Sequence, residues 1–107
     1  MENGGQMNKD ELLNRTLEEL GKRYPQGLYE FLFKHRPDLY RQLVGLEDKI
    51  DQTYLNANAS IYQFKAVLRE YWTFHMIAIK EFKQVGQLEM NVLINARQEM
   101  EEERIRA

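Results

Sequence analysis

In the second half of the chain, Ile61, Phe64, Leu68, Tyr71, His75, Ala78, Phe82 and Val85 are separated by steps that alternate between three and four residues. Apolar and aromatic positions at that spacing share one side of an α-helix and make the seam of a coiled coil. Within this stretch the run from Tyr71 to Ile79 has only Thr73 and His75 as plainly polar residues, and Trp72, Met76, Ile77 and Ile79 fall off the main seam. A helix apolar on so many sides needs cover from several neighbours. Cut out alone, the run would pass for a buried strand, because Tyr, Trp, Phe and Ile favour strands. The flanks keep the three-four spacing without Gly or Pro, which predicts helix.

Past Gly86 the pattern thins but continues through Leu88, Val92, Leu93, Ala96 and Met100, and the chain closes on EMEEERIRA. Residues 97–107 are expected to form a solvated helical end. Only Gly86 interrupts helical sequence between Ser60 and the C-terminus, so the last helix could reach about 65 to 70 Å at 1.5 Å per residue. A compact domain of this size has a radius of gyration near about 13 Å. The helix must therefore bend near Gly86 and fold back, or project and pair with another chain.

The first half reads as three shorter helices. Asn8 with Glu11 makes a capping pair, and Leu12, Leu13, Leu17 and Leu20 follow at helical spacing, predicting a helix over 9–23 that ends at YPQG. A second helix over 26–35 places Leu28, Phe31, Leu32 and His35 along one side. Pro37 suits the first turn of a third helix, with the stripe Leu39, Leu43, Leu46, Ile50 and Tyr54. Gly45 inside that helix points to a close crossing, with simple tolerance of the glycine as the alternative. NANAS, residues 56–60, separates the third helix from the fourth, and Ser60 with Gln63 forms a capping box. So short a connection between long helices implies an antiparallel αα-hairpin. The expected fold is all-α, a small bundle of about four helices built on that hairpin, with residues 1–7 a flexible tail and 8–107 one helical domain.

Composition narrows the chemistry. The chain has 107 residues, no cysteine, and 15 basic against 17 acidic side chains. Disulfides, thiolate metal sites and cysteine nucleophiles are excluded, and neither sign of charge announces a nucleic-acid or anionic-membrane partner. The start MENGGQMNKDELL lacks an apolar signal-peptide segment, and no apolar run is long enough for a bilayer, so a cytoplasmic, non-membrane setting is expected.

His75 is the most conspicuous candidate for chemistry. Its helical neighbours Tyr71, Trp72, Ala78 and Ile79 offer no carboxylate or second histidine, so no metal-ligand pair forms on this helix. The expected role is a core histidine bonded to a tyrosine or a backbone carbonyl, with a pH-sensitive or ligand-contacting role as the alternative. His35 suits the negative end of its helix. The carboxylates, Glu47 among them, are assigned to solvated faces. No phosphate-binding glycine loop, nucleophile elbow or HExxH is present. No catalytic residue, cofactor or metal ligand is assigned.

The expected function is that of a non-enzymatic helical protein-interaction or assembly module. It is expected to be homodimeric with a further protein partner, using Trp72, Met76, Ile79, Val92 and Ala96 as the interface. The alternative is a small DNA-binding regulator that contacts nucleic acid through Lys34, Arg36 and Arg41 in the helix-turn-helix-like segment 26–55, although Asp38, Glu47, Asp48 and Asp51 would oppose phosphate there. A helical ligand-binding protein or enzyme, with the aromatic side chains lining a pocket, is the third reading.

Overall fold

The computed structural model describes residues 8–106. They form four helices, α1 (Lys9–Arg23), α2 (Leu28–His35), α3 (Pro37–Leu55) and α4 (Ile61–Arg106), with no strand among the described residues. The all-α expectation is met. The expected flexible tail, residues 1–7, lies outside the described residues.

Local chemistry explains the boundaries. The Asn8 side chain accepts from the Glu11 amide at 2.9 Å and starts α1. Ser60 and Gln63 cap α4 reciprocally: the Gln63 amide donates to Ser60 Oγ at 3.1 Å, and the Ser60 amide donates to Gln63 Oε1 at 2.8 Å. Pro37 opens α3, where its missing N–H costs no hydrogen bond. The second helix begins at Leu28, two residues later than its apolar pattern suggests. Gly27 caps it with φ of 82°, a left-handed conformation that glycine adopts without steric penalty. The close crossing expected at Gly45 is absent, since a Cβ there would meet nothing within 4 Å.

Packing partners reveal the chain path. Arg36 pairs with Glu81, Tyr71 bonds Glu47, and the Tyr54 and Phe64 rings lie 6.0 Å apart. Numbers rise along one helix as they fall along the other, so α3 and α4 run in opposite directions. On the other side, Tyr54 bonds Asp10, Arg23 lies 5.2 Å over the Trp72 ring, and Phe31 meets Phe82 edge-on at 5.2 Å. α1 and then α2 thus climb alongside the first half of α4, and α3 returns. The core between them holds Leu20, Leu28, Leu32, Leu43, Phe64, Leu68, Ala78 and Ile79.

Length then decides the shape. α3 has 19 residues and α4 has 46. At 1.5 Å per residue these span about 28 and 69 Å, so α4 outruns α3 by about 40 Å, between seven and eight turns. α4 is one helix through Gly86, so the fold-back at that residue does not occur. Its second half projects, giving principal extents of 78 × 28 × 15 Å and a radius of gyration of 20.7 Å. The chain divides into a base, residues 8–85, and an arm, residues 86–106.

Candidate interaction site

Two features of the structure could carry function, a polar cluster inside the base and the bare surface of the arm. The cluster is built by three helices. Tyr29 comes from α2, Glu47 from α3, and Tyr71 and His75 from successive turns of α4. His75 is 2% exposed. Its Nδ1 lies 3.0 Å from the Tyr71 carbonyl oxygen, which can only accept, so Nδ1 carries the proton and donates. Nε2 then keeps its lone pair and accepts from the Tyr29 hydroxyl at 3.3 Å. The Tyr71 hydroxyl donates to Glu47 Oε2 at 3.3 Å. Tyr24 adds a ring 6.3 Å from that of His75.

Burial sets the charge state of this group. Desolvation lowers the pKa of His75, against a smaller opposing effect of its bond to Tyr71, and so favours the neutral ring. Desolvation also raises the Tyr71 phenol to about 12 and pushes Tyr29 up, aided there by the bond to Tyr71. At neutral pH the cluster is two phenols, a neutral imidazole and Glu47. Among the described residues no buried side-chain polar atom lacks a partner, and no cluster of His, Cys, Asp and Glu is arranged to hold a metal. A satisfied cluster of this kind orients three helices against one another. His75 fills the role expected for a core histidine, with both the tyrosine and the carbonyl as partners.

Glu47 was the member that the sequence hid. It sits on the shoulder of the α3 stripe, next to Leu46 and four residues after Leu43, where helical periodicity alone assigns it to solvent. The antiparallel pairing of α3 with α4 places it opposite Tyr71. Its shoulder position is the one sequence signal that could have found it.

The residues expected at the interface separate into two groups. Ile79 is 6% exposed and belongs to the chain's own core, which corrects its assignment to an interface with a partner. Trp72 and Met76 are half-buried and pack against that core, Trp72 with the Arg23 guanidinium over its ring. The end of α1 covers this flank more fully than its length suggested, because Arg23 lays its long side chain across the indole. Val92 and Ala96, in contrast, stand on the arm and are exposed.

Every described arm residue from Gly86 to Ile105 is exposed, including Leu88 at 63%, Val92 at 67% and Leu93 at 66%. Val85, Leu88, Val92, Ala96 and Met100 recur at steps of three or four and line one side of the helix. Leu93 widens that side and Glu89 lies within it, whereas Met90 and Ile94 fall toward the far side of the helix. Gln84, Gln87, Asn91, Asn95 and Gln98 form the opposite, uncharged polar side, with Gln87 bonded to Asn91 at 3.2 Å. Such a face is a helix-packing surface without a helix packed on it.

The cations expected on nucleic acid do not share one surface. Arg36 is committed to Asp38 and Glu81, and its guanidinium holds the Asp38 carboxyl down at about 2. Lys34 borders a depression with Tyr29, Phe33 and Tyr40, whereas Arg41 borders another with Lys49, Glu70 and Phe74. Among the described residues no helix is long and apolar enough to cross a membrane. Comparison of the chain with protein-family models, with curated proteins and with solved structures finds no match.

Proposed function

We propose that this chain is a non-enzymatic helical interaction or assembly module that works as a homodimer, with the base as the folded mount and the arm as the contact surface. A cytoplasmic setting, expected from the sequence, accompanies this reading. One observation carries it: Leu88, Val92 and Leu93 stand on a projecting helix, each more than half exposed, with nothing of the base reaching them. Burying a side chain of that kind fully contributes about 1.5 to 3 kcal/mol. The arm therefore offers a second helix enough apolar surface to offset the entropy cost of association.

Sedimentation equilibrium of the full chain tests the proposal. At tens of micromolar the wild-type chain is expected as a dimer and Leu93→Glu as a monomer with unchanged base unfolding. A well-folded wild-type monomer at that concentration, or a dimer indifferent to Leu93→Glu, would overturn it.

A further inference from the structure

We propose that Tyr29, Glu47, Tyr71 and His75 form a proton-operated switch, in which charging of the His75 ring reverses its hydrogen bond with Tyr29 and turns the Tyr29 hydroxyl from α4 onto the Glu47 carboxylate of α3. The switch lies within the base and does not depend on the arm.

The cluster has more polar contacts than protons. His75 Nδ1 donates to the Tyr71 carbonyl oxygen at 3.0 Å in either charge state, so only Nε2 can change its role. Four contacts link Nε2 and the other members: Nε2 to the Tyr29 oxygen at 3.3 Å, that oxygen to Glu47 Oε2 at 3.4 Å, the Tyr71 oxygen to Glu47 Oε2 at 3.3 Å, and the two phenol oxygens to each other at 3.3 Å. With a neutral ring only the two hydroxyl protons are available to them. Tyr29 donates to Nε2 and Tyr71 to Glu47, which leaves the Tyr29 oxygen facing the Glu47 carboxylate with no proton between them.

One more proton, taken from solvent onto Nε2, fills that contact. Nε2–H then donates to the Tyr29 oxygen, the Tyr29 hydroxyl rotates to donate to Glu47, and Tyr71 keeps its bond to the same carboxylate. No O–H bond breaks, and the charge of the cluster goes from the single negative charge of Glu47 to zero. While the ring is neutral the Tyr29 hydroxyl donates to α4 alone. Once the ring is charged, the same oxygen is bonded to α4 and α3 together, so mild acid adds a bond between α2 and α3.

The surroundings leave Glu47 to answer the charge. Tyr24, just before α2, has its ring 6.3 Å from that of His75, and Tyr40 of α3 stands edge-on to Tyr29 at 6.1 Å; both are phenols. The Glu30 carboxylate of α2 is felt at Tyr24 and not at His75, and Arg23 of α1 lies over Trp72. Among the described residues Glu47 is the charged group whose field reaches His75, and it favours the imidazolium. Desolvation is the larger effect, so the ring charges below its usual value of 6.5, but it charges inside a closed base.

Nitrogen-15 and ring-proton NMR of His75 in the full chain, as pH is lowered from 7, tests the switch. The exposed His35 is replaced by Gln so that a single ring is read. Both ring nitrogens are expected to become protonated while the methyl signals remain those of the folded base. Glu47→Gln should weaken proton binding at His75 about fivefold or more, because the ring loses its countercharge. Tyr29→Phe should weaken it as well, because the charged ring loses its acceptor, and a hydrogen bond with an ionised partner is roughly twice as strong as a neutral one. A hydroxyl that only donated to the neutral ring would give the opposite sign. Unchanged or strengthened proton binding in Tyr29→Phe therefore overturns the switch, as does proton binding in Glu47→Gln equal to that of the wild-type chain. If either variant fails to fold, the titration without it decides: charging of His75 in the folded chain supports the switch, and charging only as the base unfolds overturns it.

Discussion

The two halves of α4 carry the same kind of residues and meet different fates. From Ile61 to Val85 the helix has Phe64 and Ala78 wholly buried, while from Gly86 to Ile105 every described residue is exposed. The difference is not one of helix-forming strength. It comes from what lies alongside: α1, α2 and α3 together match the first half in length and stop. Amphipathic patterning therefore reports that a helix wants a neighbour, and the length of the other helices decides whether the chain supplies one. The base draws its stability from burial within the chain, and the arm has no comparable burial among the described residues.

This contrast can be broken most severely in the base. Phe64→Ala removes a ring with no exposed surface and should cost about 3 to 5 kcal/mol by urea unfolding, whereas Leu93→Ala on the arm should leave base unfolding unchanged. An equal effect from both would mean that base and arm fold as one unit. Glu47→Leu comes next. It deprives the Tyr71 hydroxyl of its carboxylate acceptor inside the base and should cost about 1 to 3 kcal/mol. The Asp48→Leu control on the exposed side of α3 should be close to neutral.

Titration sharpens the comparison further. His75 has a folded pKa below its usual value of 6.5, so the unfolded chain binds the proton more readily than the folded one. Its stabilising contribution is complete above the unfolded pKa and is lost as pH falls below about 6.5 toward the lower folded value. At the alkaline end the sign reverses. Tyr71, raised from 10.0 to about 12, contributes stability below pH 10 that disappears as pH rises through 12. Thermal midpoints measured between pH 7 and 5 should fall in the wild-type chain, with a shallower slope in His75→Leu. Equal slopes would show that the acid sensitivity lies elsewhere.

Two smaller effects remain. Gly86 sits in the helix at the junction of base and arm, and a Cβ there would meet nothing within 4 Å. Gly86→Ala should therefore stabilise the helix by about 1 kcal/mol, read as raised amide protection on both sides of the junction. Protection raised only on the base side would indicate that the arm frays independently. His75→Leu at pH 7 should shift stability by no more than about 1 kcal/mol, because the Tyr29 hydroxyl still has the Glu47 carboxylate at 3.4 Å as an acceptor.

Much of the fold was legible before any coordinates. Four helices, the Asn8 and Ser60 caps and the Pro37 start all follow from local rules, in which a residue's neighbours within one turn decide the outcome, whereas the continuity of α4 through Gly86 was left open. His75 as a bonded core residue followed from its place on the seam and the lack of any ligand beside it. The burial of the residues expected at an interface was legible only in part. Val92 and Ala96 stand exposed because, among the described residues, no other helix extends far enough to reach them. Ile79 went to the core because α1 and α2 together rise as far as Phe82, a fact about summed lengths that no single periodicity contains.

The sequence by itself determined the starts of α1, α3 and α4 and which side of each helix is apolar, since capping, proline geometry and three-four spacing act over a few residues. Only the tertiary structure decided that Glu47 meets Tyr29 and Tyr71, because a residue on the shoulder of a stripe is buried or solvated according to which helix comes alongside. It alone decided that Lys9 crosses from α1 to donate to the Thr53 and Asn56 carbonyls at 3.0 and 2.9 Å, giving the end of α3 the cation that its own last turn lacks. And it alone left the apolar side of the arm bare, because the path of α1, α2 and α3 spends all of their length on the first half of α4.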